Sequence, residues 1–211
     1  MSNRLGLRDR KKEETRQAIS NVATRLFVER GFEKVSVEEI AQAAGVARKT
    51  VFNYFPRKED LVFDREEEIR TLVREALAER GGQPPVLAFQ ALMHRLMETG
   101  HPLFRISDRP IRFWRMVGES PTLAARAREL QVTLGDDLAD MMAEAAGRPQ
   151  GDPQARLAAA MSMATLVVAY GEALRVFSRN QEPGAALRSL ADQGFAGVDA
   201  ALAGTPYVTV A

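Results

Sequence analysis

Ile19, Val22, Ala23, Leu26 and Phe27 recur at the i, i+3, i+4, i+7, i+8 spacing of one helix face. Glu13 and Glu14 near the start of that stretch, and Arg25 and Arg30 near its end, complement a helix dipole. Gly31 is a natural stop, so the pattern predicts a helix over 9–30. Ser36-Val37-Glu38-Glu39 has the form of a capping box, with Ser36 capping the next helix and Glu39 reaching back. Val37, Ile40, Ala41 and Ala44 form that helix's apolar face, and Gly45 ends it. A third short helix is expected from Ala47, with Val51 and Phe55 turned inward and Pro56 as its stop. A fourth is expected from Arg57 or Lys58 to Arg80.

Gly81-Gly82-Gln83-Pro84-Pro85 is a clear break. Helical periodicity resumes over 86–98 and over 103–117, where Pro110 is an awkward interruption. It continues over 122–146, over 153–179 and over 183–203. No segment alternates as a strand does, so the expected fold class is all-α. The tail GTPYVTVA is expected to fray. The pattern divides the chain into a helix-turn-helix domain (1–56), a connecting helix and loop (57–84) and a larger helical domain (85–211).

Composition narrows the function. There are no cysteines, which excludes disulfides, thiolate metal sites and cysteine nucleophiles. Only two histidines occur, with no serine-centred or glycine-rich phosphate motif, so no enzyme and no cofactor are expected. The longest apolar run, Met161 to Ala169, is far short of the ~20 residues of a membrane span. The start, MSNRLGLRDRKKEE, lacks the apolar core of a signal peptide. No membrane partner is expected, and a cytoplasmic location follows. Residues 1–60 hold 13 Lys/Arg against 9 Asp/Glu, a net of +4, while the remainder is net −3. All five lysines lie in that first segment, which suits a polyanion-binding head on an acidic body.

Two short helices around a glycine turn, braced by a longer one, make a helix-turn-helix. Gly45 accommodates the tight turn, and small Ala41 and Ala44 allow a close crossing. Arg48, Lys49, Thr50, Asn53 and Tyr54 are then left exposed. Arg and Lys can bond guanine edges or phosphates, Asn can pair with adenine, and hydroxyls can bond phosphates. A generic three-helix packing with a solvated polar face is the competing reading of this pattern.

Residues 13–63 resemble the N-terminal domain of the TetR family of transcriptional regulators. The resemblance lies in Ala23, Phe27, Gly31-Phe32, Ser36-Val37, Ile40-Ala41 and Ala44-Gly45-Val46. It continues through Thr50-Val51-Phe52-Asn53-Tyr54-Phe55 and Lys58-Glu59-Asp60-Leu61. It implies a fold of nine or ten helices, whose first three bind double-stranded operator DNA. It also implies a C-terminal domain that holds a small-molecule effector and pairs with its twin in a homodimer. Carried onto this chain, Arg48, Lys49 and Asn53 read base edges, Thr50, Tyr54 and Ser36 hold phosphates, and Lys58 adds a backbone contact. Phe52 lies against a sugar or a thymine methyl. Lys11, Lys12 and Arg16 form either a basic arm or a solvated face. Ala47 stands where the family often has Ser, weakening the recognition-helix cap by ~1 kcal/mol. Arg57 replaces a frequent Ser, Asn or Thr and cannot cap a helix.

The larger domain carries no motif. Met97, Phe104, Phe113, Trp114, Met163 and Tyr170 are its candidate ligand-pocket residues, chosen as adaptable apolar or amphipathic side chains. His94, Glu98 and His101 share helical spacing, but no further ligand is evident and no metal site is expected. Arg105, Arg109, Arg112 and Arg115 form either an anion grip or a solvated basic face. Small and large apolar residues alternate over 158–177 and 185–202, which suits an isologous helix bundle. The leading expectation is a repressor released from a palindromic operator by a small molecule. The alternative is a ligand-independent or partner-responsive DNA-binding regulator without an effector pocket.

Overall fold

A computed structural model describes residues 7–209. Among the described residues nine α-helices run in order: α1 (Leu7–Arg30), α2 (Val37–Ala43), α3 (Arg48–Tyr54), α4 (Glu66–Ala78), α5 (Pro85–Glu98), α6 (Asp108–Glu119), α7 (Pro121–Ala145), α8 (Pro153–Ser178) and α9 (Pro183–Ala201). No strand occurs among the described residues, so the fold is all-α. The chain forms two compact units. One comprises residues up to 65 together with 112–127, the other 66–111 together with 128 onward.

The N-terminal unit is built on the apolar stripe of α1. Ile19, Ala23 and Phe27 are buried beneath Val37, Ile40 and Ala41 of α2 and Val51 of α3, with Phe55 closing the end. The Phe27 and Phe32 rings meet at 5.0 Å between centroids. Met116, Val117 and Leu123, from the end of α6 and the start of α7, complete this core. Two polar contacts fix that segment: Ser120 Oγ donates to Glu33 Oε1 at 2.8 Å, and Arg126 pairs with Asp60 at 3.0 Å.

The expected fourth helix does not begin at Lys58. A single 3-10 turn, Glu59–Leu61, is followed by a bend, and α4 starts only at Glu66. Asp64 explains the break, because its carboxylate accepts from Ser20 Oγ and Gln17 Nε2 of α1 and holds the connecting residues against that helix. The awkward stretch around Pro110 resolves similarly. The helix begins at Asp108, so Pro110 sits in its first turn, where a missing N–H costs no intrahelical bond.

In the second unit α8 and α9 pack along most of their length. Ala158, Ala159, Ser162, Ala169 and Ala173 form the buried stripe of α8; Leu187, Ala191, Phe195 and Val198 form that of α9. Phe89, Leu92, Leu138 and Met142 fill the space beside them. Asp152 caps α8 by accepting from the N–H groups of Gln154 (2.8 Å) and Ala155 (3.2 Å). By length and composition α8 is apolar enough to cross a membrane, although no single uninterrupted run suggested it. Its outer face carries the exposed side chains Leu157, Val167 and Val168.

The tail does not fray within the described residues. Tyr207 is fully buried, and its carbonyl accepts from Val86 N–H at the start of α5 at 3.0 Å. An aromatic residue near a chain end is a docking anchor when a helix start nearby has unpaired N–H groups.

Candidate nucleic-acid interface

The turn between α2 and α3 sets the site. Gly45 has φ +66°, the left-handed conformation that glycine adopts without Cβ strain. Gly45 N–H bonds the Gln42 carbonyl, and Val46 N–H bonds that of Ala41 at 3.0 Å. α3 then starts at Arg48, with Ala47 in the cap position and no side-chain cap bond, as the sequence implied. Val51 (0% exposed) and Phe55 (1%) lock one face of α3 into the core.

The opposite face is open. Arg48, Lys49, Phe52 and Asn53 are exposed, and Thr50 and Tyr54 are half-buried at its flanks. Tyr54 packs its ring against the core, leaving the hydroxyl as its polar tip. Arg48, Lys49, Thr50, Asn53 and Tyr54, all expected from sequence to be exposed together, lie on this one short helix.

Arg48 is not a free cation. Its Nε pairs with Glu38 Oε1 at 2.6 Å, and its guanidinium lies 5.2 Å from the centre of the Phe52 ring. Glu38 was not a sequence candidate. Its proximity depends on how the glycine turn folds α2 against α3, and no spacing rule signals that. Phe52 stands at i+4 from Arg48, a helical neighbour that sequence can reveal.

Ser36 and Lys58 are both tied into the fold. Ser36 Oγ accepts from Glu39 N–H (3.2 Å) and donates to Glu39 Oε2 (2.9 Å), while Ser36 N–H donates to the same carboxylate (2.8 Å). The backbone bond from Ser36, the Arg30 guanidinium at 2.6 Å and the Ser36 hydroxyl lower the Glu39 pKa to about 2. Lys58 does not stand at the start of a long helix. Its Nζ donates to the Phe32 carbonyl at 2.7 Å and lies 4.2 Å from the Phe32 ring centre. Burial lowers the Lys58 pKa, against the pull of Glu33, Glu59 and Glu39. On α1, Lys11 and Lys12 are exposed, whereas Arg16 lies 5.0 Å from the Phe55 ring centre and 3.8 Å from Glu13.

The second unit contains a separate cleft of about 380 Å³ between the end of α5, the following loop and the start of α9. Met97, Phe104, Ile106 and Leu187 form its apolar wall, with Arg105 and Arg188 at its edge. Of the sequence candidates, Met97 and Phe104 line it. Tyr170 lies just behind, its ring 6.4 Å from that of Phe104 and its hydroxyl donating to the Arg105 carbonyl at 3.4 Å. Met163 packs against the same core. Phe113 and Trp114 belong to the N-terminal unit, where Phe113 meets Phe63 at 6.1 Å. The cleft residues Ile106, Leu187 and Arg188 were missed, because only tertiary packing brings α9 beside the α5–α6 loop.

The two histidines turn to different carboxylates, His94 to Asp192 (2.9 Å) and His101 to Glu68 (3.5 Å). No group of three or more metal-ligating side chains gathers among the described residues.

Comparison with known proteins agrees with this geometry. Residues 19–64 match the family described as bacterial regulatory proteins, tetR family. The chain is 38% identical over 91 residues to the HTH-type transcriptional regulator AcrR of Shigella flexneri, covering 41% of this chain and 42% of that protein. It therefore spans less than half the length of that curated relative. Among solved structures, NalD, described as the secondary repressor of the MexAB-OprM multidrug efflux pump in Pseudomonas aeruginosa, is 21% identical with a TM-score of 0.59, over 88% of this chain and 96% of that one. Thermus thermophilus FadR, a transcriptional repressor solved with lauroyl-CoA, is 26% identical with a TM-score of 0.52, over 86% and 94%. The matched residues 19–64 contain the helix-turn-helix that presents Arg48, Lys49 and Asn53, so it is this N-terminal segment that is similar to the tetR family of bacterial regulatory proteins.

Proposed function

We propose that the protein is a homodimeric, sequence-specific DNA-binding regulator that represses transcription from a palindromic operator and is released by a small molecule. The observation that carries this is α3: two core side chains hold it rigidly while Arg48, Lys49 and Asn53 face outward together. A helix so presented fits a major groove, where these side chains bond base edges and phosphates. Thr50 and Tyr54 serve as phosphate contacts at its flanks. Ser36 and Lys58, each engaged within the fold, contribute at most a shared hydrogen bond.

Two copies are needed to read two half-sites. The apolar stripe Leu157, Ala164, Val167 and Val168 on α8 is the surface we assign to the twin chain. Covering it would bury side chains that a lone chain leaves in water. The substitution Val168→Asp is expected to shift the protein toward monomer in analytical ultracentrifugation.

The cleft beside α5 and α9 is the assigned effector site, with Met97 and Phe104 on its wall. At about 380 Å³ it lies within the range of small-molecule pockets. That volume favours an effector-responsive regulator over one without a pocket, in line with the ligand carried by the FadR structure. Effector and operator must then weaken each other's binding by the same factor.

The test is titration of a fluorescent duplex with the full chain at rising salt. Affinity is expected to fall steeply as condensed counterions cease to be released to advantage, and Arg48→Ala to change the preferred sequence. Binding that ignores both salt and sequence would remove the proposal.

A further inference from the structure

We propose that Arg48 and Phe52 act as one reading unit, recognising a guanine together with the 5-methyl group of a pyrimidine in the neighbouring base pair. The inference rests on the DNA-binding function proposed above and specifies what that site selects.

Three observations combine. Glu38 engages Arg48 through Nε, at 2.6 Å, which leaves the two terminal guanidinium nitrogens as a forked donor pair. Such a pair matches O6 and N7 of guanine. The guanidinium also lies 5.2 Å from the Phe52 ring centre, at i+4 on the same exposed face. Finally, Phe52 is a large apolar side chain left 37% exposed beside charged neighbours.

The geometry of a duplex turns this pairing into a reading rule. A guanidinium bonded edge-on to guanine lies near the plane of that base. A ring against its face then stands at the level of the next base pair, about 3.4 Å along the axis. Phe52 offers no donor or acceptor there, so it cannot distinguish bases by hydrogen bonding. It can reward only apolar surface in the groove. Position 5 of a pyrimidine supplies that surface as a methyl in thymine and 5-methylcytosine, and as a bare C–H in cytosine and uracil. The selected feature is therefore the methyl group, and Glu38 is the positioning residue that fixes Arg48 beneath the ring.

The experiment uses the full chain and a duplex it selects from a random pool. Position by position, each thymine flanking an enriched guanine is replaced by deoxyuridine, which removes only the methyl. In a parallel series each is replaced by cytosine or 5-methylcytosine, with guanine opposite. At one flanking position, affinity is expected to drop about fourfold on loss of the methyl, the effect of one buried methyl-sized group. Phe52→Ala should bring that ratio to one while keeping the guanine preference, and Phe52→Leu should retain part of it. A ratio present for thymine and absent for 5-methylcytosine would assign the contact to T·A pairs. Wild-type protein that binds methylated and unmethylated duplexes equally at every flanking position would overturn the inference. Failure to enrich any sequence, seen before a base is modified, would instead overturn the DNA-binding function itself.

Discussion

Gly194 of α9 lies directly against Thr165 of α8, so closely that a Cβ built on the glycine would fall 2.8 Å from the Thr165 Cβ, with the side-chain methyl and hydroxyl nearer still. The backbone of α9 there has no left-handed φ, so the glycine is kept for space alone. This crossing lies in the closely packed α8–α9 pair of the second unit and beside the stripe assigned to the twin chain. Gly194→Ala is expected to destabilise the protein by about 1–3 kcal/mol, the usual cost of overpacking a tight contact. Chemical denaturation would measure it. Adding Thr165→Ala should recover most of the loss, because the clashing atoms go with it; a double mutant as unstable as the single one would contradict this account.

Glu38 and Arg48 give opposite expectations for two kinds of binding. Both side chains are more than half exposed, so the pair adds little to stability. Its value lies in holding the guanidinium. Glu38→Gln removes a negative charge from a surface that meets phosphates, so affinity for random duplex should rise. It also loosens Arg48, so preference for the selected duplex should fall. Arg48→Ala should cost about 1–3 kcal/mol on the selected duplex, and Lys49→Ala should flatten the salt dependence by about one phosphate contact if it holds backbone. Competition binding at several salt concentrations separates these effects. A Glu38→Gln protein with unchanged discrimination would show that the ion pair does not position Arg48.

What could be read from the chain alone depended on the range of the interactions involved. The capping box at Ser36, the glycine turn at Gly45 and the inward pair Val51 and Phe55 follow from neighbours within one or two helical turns, and the structure contains each of them. The late start of α4 could not be read, because Asp64 is held by Ser20, 44 residues away. Tyr207 gave no local sign of its burial, since its partner Val86 lies at the start of α5. The cleft was legible only in part for the same reason. Met97 and Phe104 lie close in sequence, but Leu187 and Arg188 reach the cleft through the packing of α9.

The docked tail is expected to matter for stability. Tyr207 is among the largest fully buried side chains, and its removal would leave a cavity beside Val86 and the α8 cap. Tyr207→Ala should cost about 3 kcal/mol or more, by analogy with other large aromatic truncations. Burial, and the Asp152 carboxylate beside it, push the Tyr207 phenol up to about 12. The folded pKa is raised, so the fold is insensitive to this group below the ordinary tyrosine value near 10 and loses stability as pH climbs from there toward 12. Ultraviolet titration should show one of the three tyrosines ionising late, and Tyr207→Phe should abolish that late step.

Acid should act at the other end of the pH scale, through Glu39. Its pKa is lowered to about 2, first by the Ser36 backbone N–H, then by Arg30 and the Ser36 hydroxyl. Because the folded value is depressed, the contribution is fully present above the ordinary carboxylate value of 4.5 and fades as pH falls from there through about 2. Glu39→Gln should therefore be less stable than wild type at neutral pH, and the difference should shrink toward zero under strong acid. Ser36→Ala should cost about 1 kcal/mol at neutral pH through loss of the cap. It should also bring the Glu39 carboxyl back toward its ordinary value, since the hydroxyl bond goes while the backbone bond and Arg30 remain. Denaturation of the three proteins across acid pH tests both statements. A Glu39→Gln deficit that persists unchanged at the lowest pH would place the effect in packing rather than in the charge, and would leave the capping box without its acidic half.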